Sequence, residues 1–113
     1  MKGRMKQLLC LSFFVLCFFS LASAAFAESP FEKSVQLYQN GKFEDAAKSL
    51  EGILKQNKES AAVYYNLGNA YYKLNQKGRA VWAYERALRL DPRDSDIRAN
   101  LDLMKKQLVD KPT

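Results

Sequence analysis

Residues 61–94 read AAVYYNLGNAYYKLNQKGRAVWAYERALRLDPRD, and this stretch decides the fold. Tyr64, Leu67, Gly68 and Tyr71 fall at i, i+3, i+4 and i+7, the spacing that lines up one face of a helix. Ala80, Tyr84, Ala87 and Leu88 make a second stripe of the same period. Two helices cross closely only where side chains are small, because a branched Cβ holds the axes apart. Gly68 and Ala80 are those small residues, with the tyrosines filling the space beside them. Asn75-Gln76-Lys77-Gly78 reads as the turn between the helices. Asp91-Pro92 ends the second helix, since proline pushes the preceding residue out of the α region. Such a pair cannot bury its apolar stripe by itself, so similar pairs are expected beside it.

The order Tyr64, Leu67-Gly68, Tyr71, Ala80, Tyr84, Ala87, Pro92 resembles the tetratricopeptide repeat, a helix–turn–helix unit of about 34 residues read as W-x2-L-G-x2-Y…A-x3-F…P. Tyr64 takes the tryptophan position and Tyr84 the phenylalanine position. The family usually places a glycine where Asn75 stands. The resemblance implies an all-α tetratricopeptide-repeat α-solenoid.

One repeat length upstream the pattern recurs in weaker form. Ser34 meets Gly68, Leu37 meets Tyr71, Tyr38 meets Tyr72, Ala46 meets Ala80, Leu50 meets Tyr84 and Leu54 meets Leu88, while Pro30 and Lys33 stand in for Tyr64 and Leu67. Ser29 can cap a helix, Pro30 suits its first position, and Glu32 completes an S-x-x-E capping box. That helix is expected to run to about Asn40, with Gly41 in the turn. A second is expected from about Phe43 to Gln56, with Phe43, Ala46, Ala47, Leu50, Ile53 and Leu54 on its apolar side.

Downstream, a helix is expected from about Ser95 to Leu108 with Ile97, Leu101, Met104 and Leu108 on one side. Asp102 and Lys105 occupy the places of Gly68 and Tyr71, so it reads as a solvating cap with Asp102, Lys105 and Lys106 outward. The domain plan is a signal peptide at 1–27, a degenerate repeat at 28–60, a full repeat at 61–94, a cap helix at 95–108 and a tail at 109–113.

Lys2, Arg4 and Lys6 precede an apolar run from Leu8 to Leu21, and Ala25-Phe26-Ala27 is a small-x-small cleavage site before Glu28, the build of a secretory signal peptide. Ala22-Ser23-Ala24 is a second candidate site. Leu8 to Ala27 is also about 20 residues, enough to span a bilayer, so an N-terminal anchor in the inner membrane is the alternative. Polar Ser20 and Ser23 and the alanine-rich end favour cleavage. The formal charge of the whole chain is +6. From Glu28 on it is 15 Lys/Arg against 12 Asp/Glu, a balance ordinary for a soluble domain. The sequence has no histidine, and both cysteines, Cys10 and Cys17, lie in the leader. The exported part therefore offers no thiolate nucleophile, no disulfide and no usual zinc site. No Gly-rich phosphate loop is present, so the expectation is a non-enzymatic scaffold without metal or cofactor.

In tetratricopeptide arrays the first helix of each pair lines a concave groove where partner peptides lie. By motif position, the resemblance assigns to that groove Phe31, Val35, Tyr38 and Gln39 from the first repeat. It assigns Ala62, Tyr65, Asn66, Asn69, Tyr72 and Lys73 from the second, and Asp96 and Asn100 from the cap helix. Asparagine carries both a donor and an acceptor for a peptide backbone, and tyrosine offers contact area with a polar tip. All are also what an average repeat carries. Arrays that clamp a partner's C-terminal carboxylate have lysine and asparagine on the first helix and basic residues on the third. Phe31, Val35, Asp96 and Asn100 stand there, and only Asn66 of that clamp is present.

Trp82 lies two positions after Ala80, about 200° round the helix, and so points outward on the convex face. It either covers neighbouring side chains, such as those of the helix expected from Phe43 to Gln56, or anchors a partner or a second copy of the chain. Arg79, Arg86, Arg89 and Arg93 recur near one side of the same helix. This strip reads as a solvated face with Glu85, Asp91 and Asp94 interspersed, open also to anionic lipid or an acidic protein. No aromatic–basic alternation points to nucleic acid.

A leader followed by YNLGNAYYKL…AVWAYERALRLDPRDSDIRANL is similar to the tetratricopeptide proteins of bacterial aerotolerance operons, over residues 60–103. That similarity implies a periplasmic or envelope-associated protein that assists assembly of neighbouring membrane proteins. Those relatives often carry a membrane helix and an SH3-like domain after the repeats, and nothing after Leu108 corresponds to either. The partner expected is a protein or peptide segment bound in the groove, with membrane contact only through an uncleaved leader. The alternative is a structural module that self-associates through Trp82 or an open repeat end.

Overall fold

A computed structural model gives the fold and describes residues 27–110. Those residues form an all-α array: α1 Pro30–Gln39, α2 Phe43–Lys55, α3 Ala61–Lys73, α4 Lys77–Leu90 and α5 Ser95–Asp110. The expected leader and its cleavage falls outside them except for Ala27, as do tail residues 111–113. The cap helix runs two residues past its expected end, taking in Val109 and Asp110. Among the described residues no helix is long and apolar enough to cross a membrane.

Three of the five helices start where a side chain satisfies free amides, whereas α2 and α4, entered through Lys42 and Gln76, start without a side-chain cap. The Ser29 hydroxyl accepts from the Glu32 amide at 3.2 Å, and the Ser29 amide donates to the Glu32 carboxylate at 3.3 Å, the capping box expected there. Ser60 caps α3 by accepting from the Val63 amide at 3.1 Å. Asp94 caps α5, its carboxylate accepting from the amides of Asp96 at 2.9 Å and Ile97 at 3.0 Å.

The first three helices end alike. Gly41, Asn57 and Asn75 take φ of 78°, 58° and 59°. The next amide in each case reaches back five residues, from Lys42 to Leu37 at 2.8 Å, Lys58 to Ile53 at 3.4 Å and Gln76 to Tyr71 at 2.9 Å. This left-handed cap satisfies carbonyls that the helix leaves open, and asparagine tolerates it best after glycine. Asn75 therefore does the work of the glycine usual in the family. Because the reversal is complete at Asn75, Lys77 already begins α4 and Gly78 lies in its first turn, not in the connection expected from the sequence.

Helices α1 and α2 form one hairpin and α3 and α4 a second; α2 packs on α3, and α5 closes the array against α4. The core is centred on the second hairpin, with Leu67, Ala70, Ala80 and Ala83 wholly buried, and continues into α5 through Leu101 and Met104. A Cβ on Gly68 would stand 2.6 Å from Cε1 of Tyr84, so the glycine is the floor on which that ring lies. The equivalent residues of the first repeat, Ser34 and Leu50, are each 1% exposed. There a serine takes the place of the glycine on the first helix, and a leucine, smaller than tyrosine, faces it from the second. The Ser34 hydroxyl, deep in apolar surroundings, donates to the Phe31 carbonyl.

Of the apolar residues expected to be covered, Phe43 and Leu54 are half-buried, and Leu108 is exposed. Leu108 lies beyond the last buried turn of α5, and nothing among the described residues covers it. Asp102, Lys105 and Lys106 are exposed, as the cap reading expects. Lys105 reaches the Glu85 carboxylate at 3.3 Å, tying α5 to α4 across the surface.

Candidate functional site

The first helices of successive hairpins, α1 and α3, lie side by side, and α5 follows in the same role. Between them opens a cleft of about 220 Å³ lined by Tyr38, Asn69, Tyr72, Lys73, Tyr84, Asn100, Leu103 and Met104. The cleft thus gathers five of the residues assigned to the groove from sequence: Tyr38, Asn69, Tyr72, Lys73 and Asn100.

Its floor is a hydrogen-bonded group of phenols and amides. The Tyr84 hydroxyl reaches up from α4 and donates to Asn69 Oδ1 at 2.6 Å. Asn100 Nδ2 donates to the Tyr65 hydroxyl at 3.1 Å, joining α5 to α3. The Tyr65 and Tyr84 rings lie 6.0 Å apart, tilted by 49°. Burial holds the Tyr84 phenol above the ordinary range, and the nearby phenols of Tyr65, Tyr38 and Tyr72 push the same way, with the Asn100 amide opposing. Tyr38 is also raised, by burial and then by Tyr65. The Tyr38 and Tyr84 phenols are therefore neutral donors and acceptors at physiological pH. Lys73 is the cation of the lining, its Nζ 5.9 Å from the centre of the Phe43 ring. The chemistry is that of a neutral polar floor with one positive charge and an apolar end at Leu103 and Met104.

Other expected groove residues stand elsewhere. Phe31 sits in the first turn of α1, packs on the core, and with Ser29, Pro30, Ile53, Gln56 and Lys58 lines a separate cleft. The Asn66 amide donates to the Ala62 carbonyl of its own helix at 2.8 Å, which turns that nitrogen away from any partner. Val35 is half-buried and outside the cleft; Gln39, Ala62 and Asp96 are exposed and outside it. Tyr65 supports the floor from behind.

Leu103, Met104 and Tyr84 were not legible as groove residues. One signal could have found Leu103, which stands one repeat length after Asn69. The apolar stripe of α5, Ile97, Leu101, Met104 and Leu108, marks Met104 as core. Tyr84 belongs to the core stripe, and only its hydroxyl emerges.

Trp82 is 43% exposed. Its indole stands edge-on to the Tyr64 ring at 5.8 Å, so it covers a side chain of α3 in its own repeat. Among the described residues no group of histidine, cysteine or carboxylate side chains could hold a metal ion.

A search of curated proteins gives no significant match. Residues 31–95, more than half the chain, match the family model described as Tetratricopeptide repeat. Paired helices, left-handed caps between them, a ring laid on Gly68 and a groove between first helices agree with that match, and the chain belongs to the tetratricopeptide repeat family, whose repeats mediate protein–protein interaction.

Proposed function

We propose that the protein is an exported adaptor that holds a segment of an envelope protein in the groove between α1, α3 and α5. The observation that carries this is the cleft itself. Tyr72 and Leu103, 37% and 48% exposed, flank a floor whose polar groups are already oriented by one another. Exposed aromatic and aliphatic area beside fixed donors and acceptors is the composition of a recognition surface. Asn69 offers its Nδ2 to a backbone carbonyl while Tyr84 occupies its oxygen. Lys73 favours a segment with a carboxylate nearby. The leader and the similarity to aerotolerance-operon proteins support the envelope as the place of action and assembly of a membrane-protein complex as the task.

The test is capture of partners from cell envelopes by wild type and by Tyr72→Ala/Leu103→Ala, with Trp82→Ala as control. A partner held by wild type and Trp82→Ala but lost by the groove variant supports the reading. A partner held equally by the groove variant and lost by Trp82→Ala refutes it.

A further inference from the structure

The outward side of α4 carries a line that neither the fold nor the groove accounts for. Arg79, Trp82, Arg86 and Arg89 follow at steps of three and four, within an arc of about 80°. All are exposed; Leu90, 50% exposed, borders the line, and Arg93 extends it into the next turn. The corresponding residues of the first repeat are Asp45, Lys48, Gly52, Lys55 and Glu59, a mixed set on a helix with the same packing role. The architecture therefore does not demand arginine here.

The acidic residues near this line are engaged otherwise. Glu85 bonds Lys105 on the far flank, and Asp94 caps α5. Glu51 and Glu59 accept the hydroxyls of Tyr71 at 2.6 Å and Tyr64 at 3.0 Å. Asp91, exposed at the end of α4, is the remaining carboxylate there; on the neighbouring α2, Glu44 pairs with Lys48 at 3.7 Å and Asp45 is exposed, while the exposed Lys55 and Lys58 of α2 and its following turn add to the cations. Arg86 stacks on the Trp82 ring with Cζ 5.6 Å from its centre, and Arg79 on the Tyr71 ring at 5.8 Å. No arginine of the line forms an ion pair among the described residues.

We infer that this face of α4 docks on an anionic lipid bilayer, independently of the groove. A row of guanidinium groups about 15 Å long, from Arg79 to Arg89, meets phosphate headgroups along one line. The indole sits between the cations, with Leu90 along their edge, at the depth where a bilayer interface accepts a ring with a polar edge. An outward helix back suits a flat surface better than it suits an extended peptide, which needs a groove. A second copy of the chain would bring arginine against arginine.

Trp82 is the chain's only tryptophan, so its fluorescence reports this face directly in the full-length protein. The apolar leader can attach the chain to any vesicle, so attachment itself is not the readout. Mixed phosphatidylglycerol–phosphatidylcholine vesicles should shift Trp82 emission to the blue and protect it from acrylamide. Pure phosphatidylcholine should do neither, and molar salt should reverse the effect, the screening length there being about 3 Å. Arg79→Gln/Arg89→Gln/Arg93→Gln, which keeps Arg86 on the indole, should weaken the response roughly a hundredfold, at about fivefold per arginine. Arg89→Gln should by itself cost about fivefold, and circular dichroism checks that both variants remain helical. Equal quenching of Trp82 on neutral and anionic vesicles overturns the inference, as does a wild-type response from the folded variants. Protection by polyglutamate without protection by vesicles also overturns it and gives the face to an acidic protein.

Discussion

At Gly68 a methyl group has no room, because Cδ1 and Cε1 of Tyr84 would lie 2.7 and 2.6 Å from it. That ring cannot swing aside cheaply: it is 2% exposed and its hydroxyl is tied to Asn69. Gly68→Ala should therefore cost about 1–3 kcal/mol of stability by overpacking, read as a lowered urea midpoint. The first repeat suggests the rescue. Gly68→Ser/Tyr84→Leu copies the Ser34/Leu50 pair and should lose less than the two single changes added together; strict additivity would show that the ring and the glycine are not coupled. The buried phenols also set an alkaline limit. Tyr71 is raised by burial, then by its hydrogen bond to Glu51 and the charge of that carboxylate, and Tyr84 by burial and its phenolic neighbours. A phenol pKa raised on folding means the unfolded chain loses its protons first as pH climbs. The stability it brings is whole below about pH 10, the unfolded value, and is lost as pH rises towards the folded one. Thermal midpoints should hold to about pH 9 and then fall, less steeply in Tyr84→Phe; a midpoint flat through the alkaline range would exclude the mechanism.

The helices of this array depend on their ends. Asp94 satisfies two amides of α5, the element that covers the second hairpin, and Asp94→Ala should cost about 1 kcal/mol. Asn75 holds φ at 59°, and Asn75→Ala should cost about 1 kcal/mol while Asn75→Gly costs nothing or stabilises. Chemical denaturation of the three variants checks both, and an alanine at Asn75 as stable as glycine would contradict the cap. The two ends show different degrees of legibility. Ser29 with Glu32 spells its cap in four letters, whereas Asp94 is followed by Ser95, itself a good cap, and the chain alone does not choose between them. The choice falls to Asp94 because its carboxylate spans to the amides of both Asp96 and Ile97.

For the whole molecule, the question is which groove residues carry binding and which carry the fold. Asn69→Ala and Tyr65→Ala remove supports of the floor and should lower stability by about 1 kcal/mol each. Tyr72→Ala and Leu103→Ala remove exposed area and should leave the melting curve unchanged. If each is an anchor worth about 2 kcal/mol, partner affinity should fall at least tenfold. Titration of the captured partner beside thermal unfolding separates the classes, and a Tyr72→Ala protein that binds as wild type would remove the groove from consideration.

The sequence by itself determined the repeat. Gly68, Ala80, Tyr84 and Pro92 keep a fixed spacing because helix crossing, ring volume and helix ending are local constraints written in residue size and backbone freedom. Tertiary structure alone decided which polar atoms remain free. Asn66 and Asn69 look alike along the chain, yet one amide turns back to Ala62 and the other receives the Tyr84 hydroxyl from the next helix. It also decided that Leu103 enters the groove and that Glu85 leaves the arginine line to pair with Lys105. Hydrogen-bond and charge partners lie on neighbouring helices, and the periodicity of one helix fixes its faces but not what the next helix brings to them.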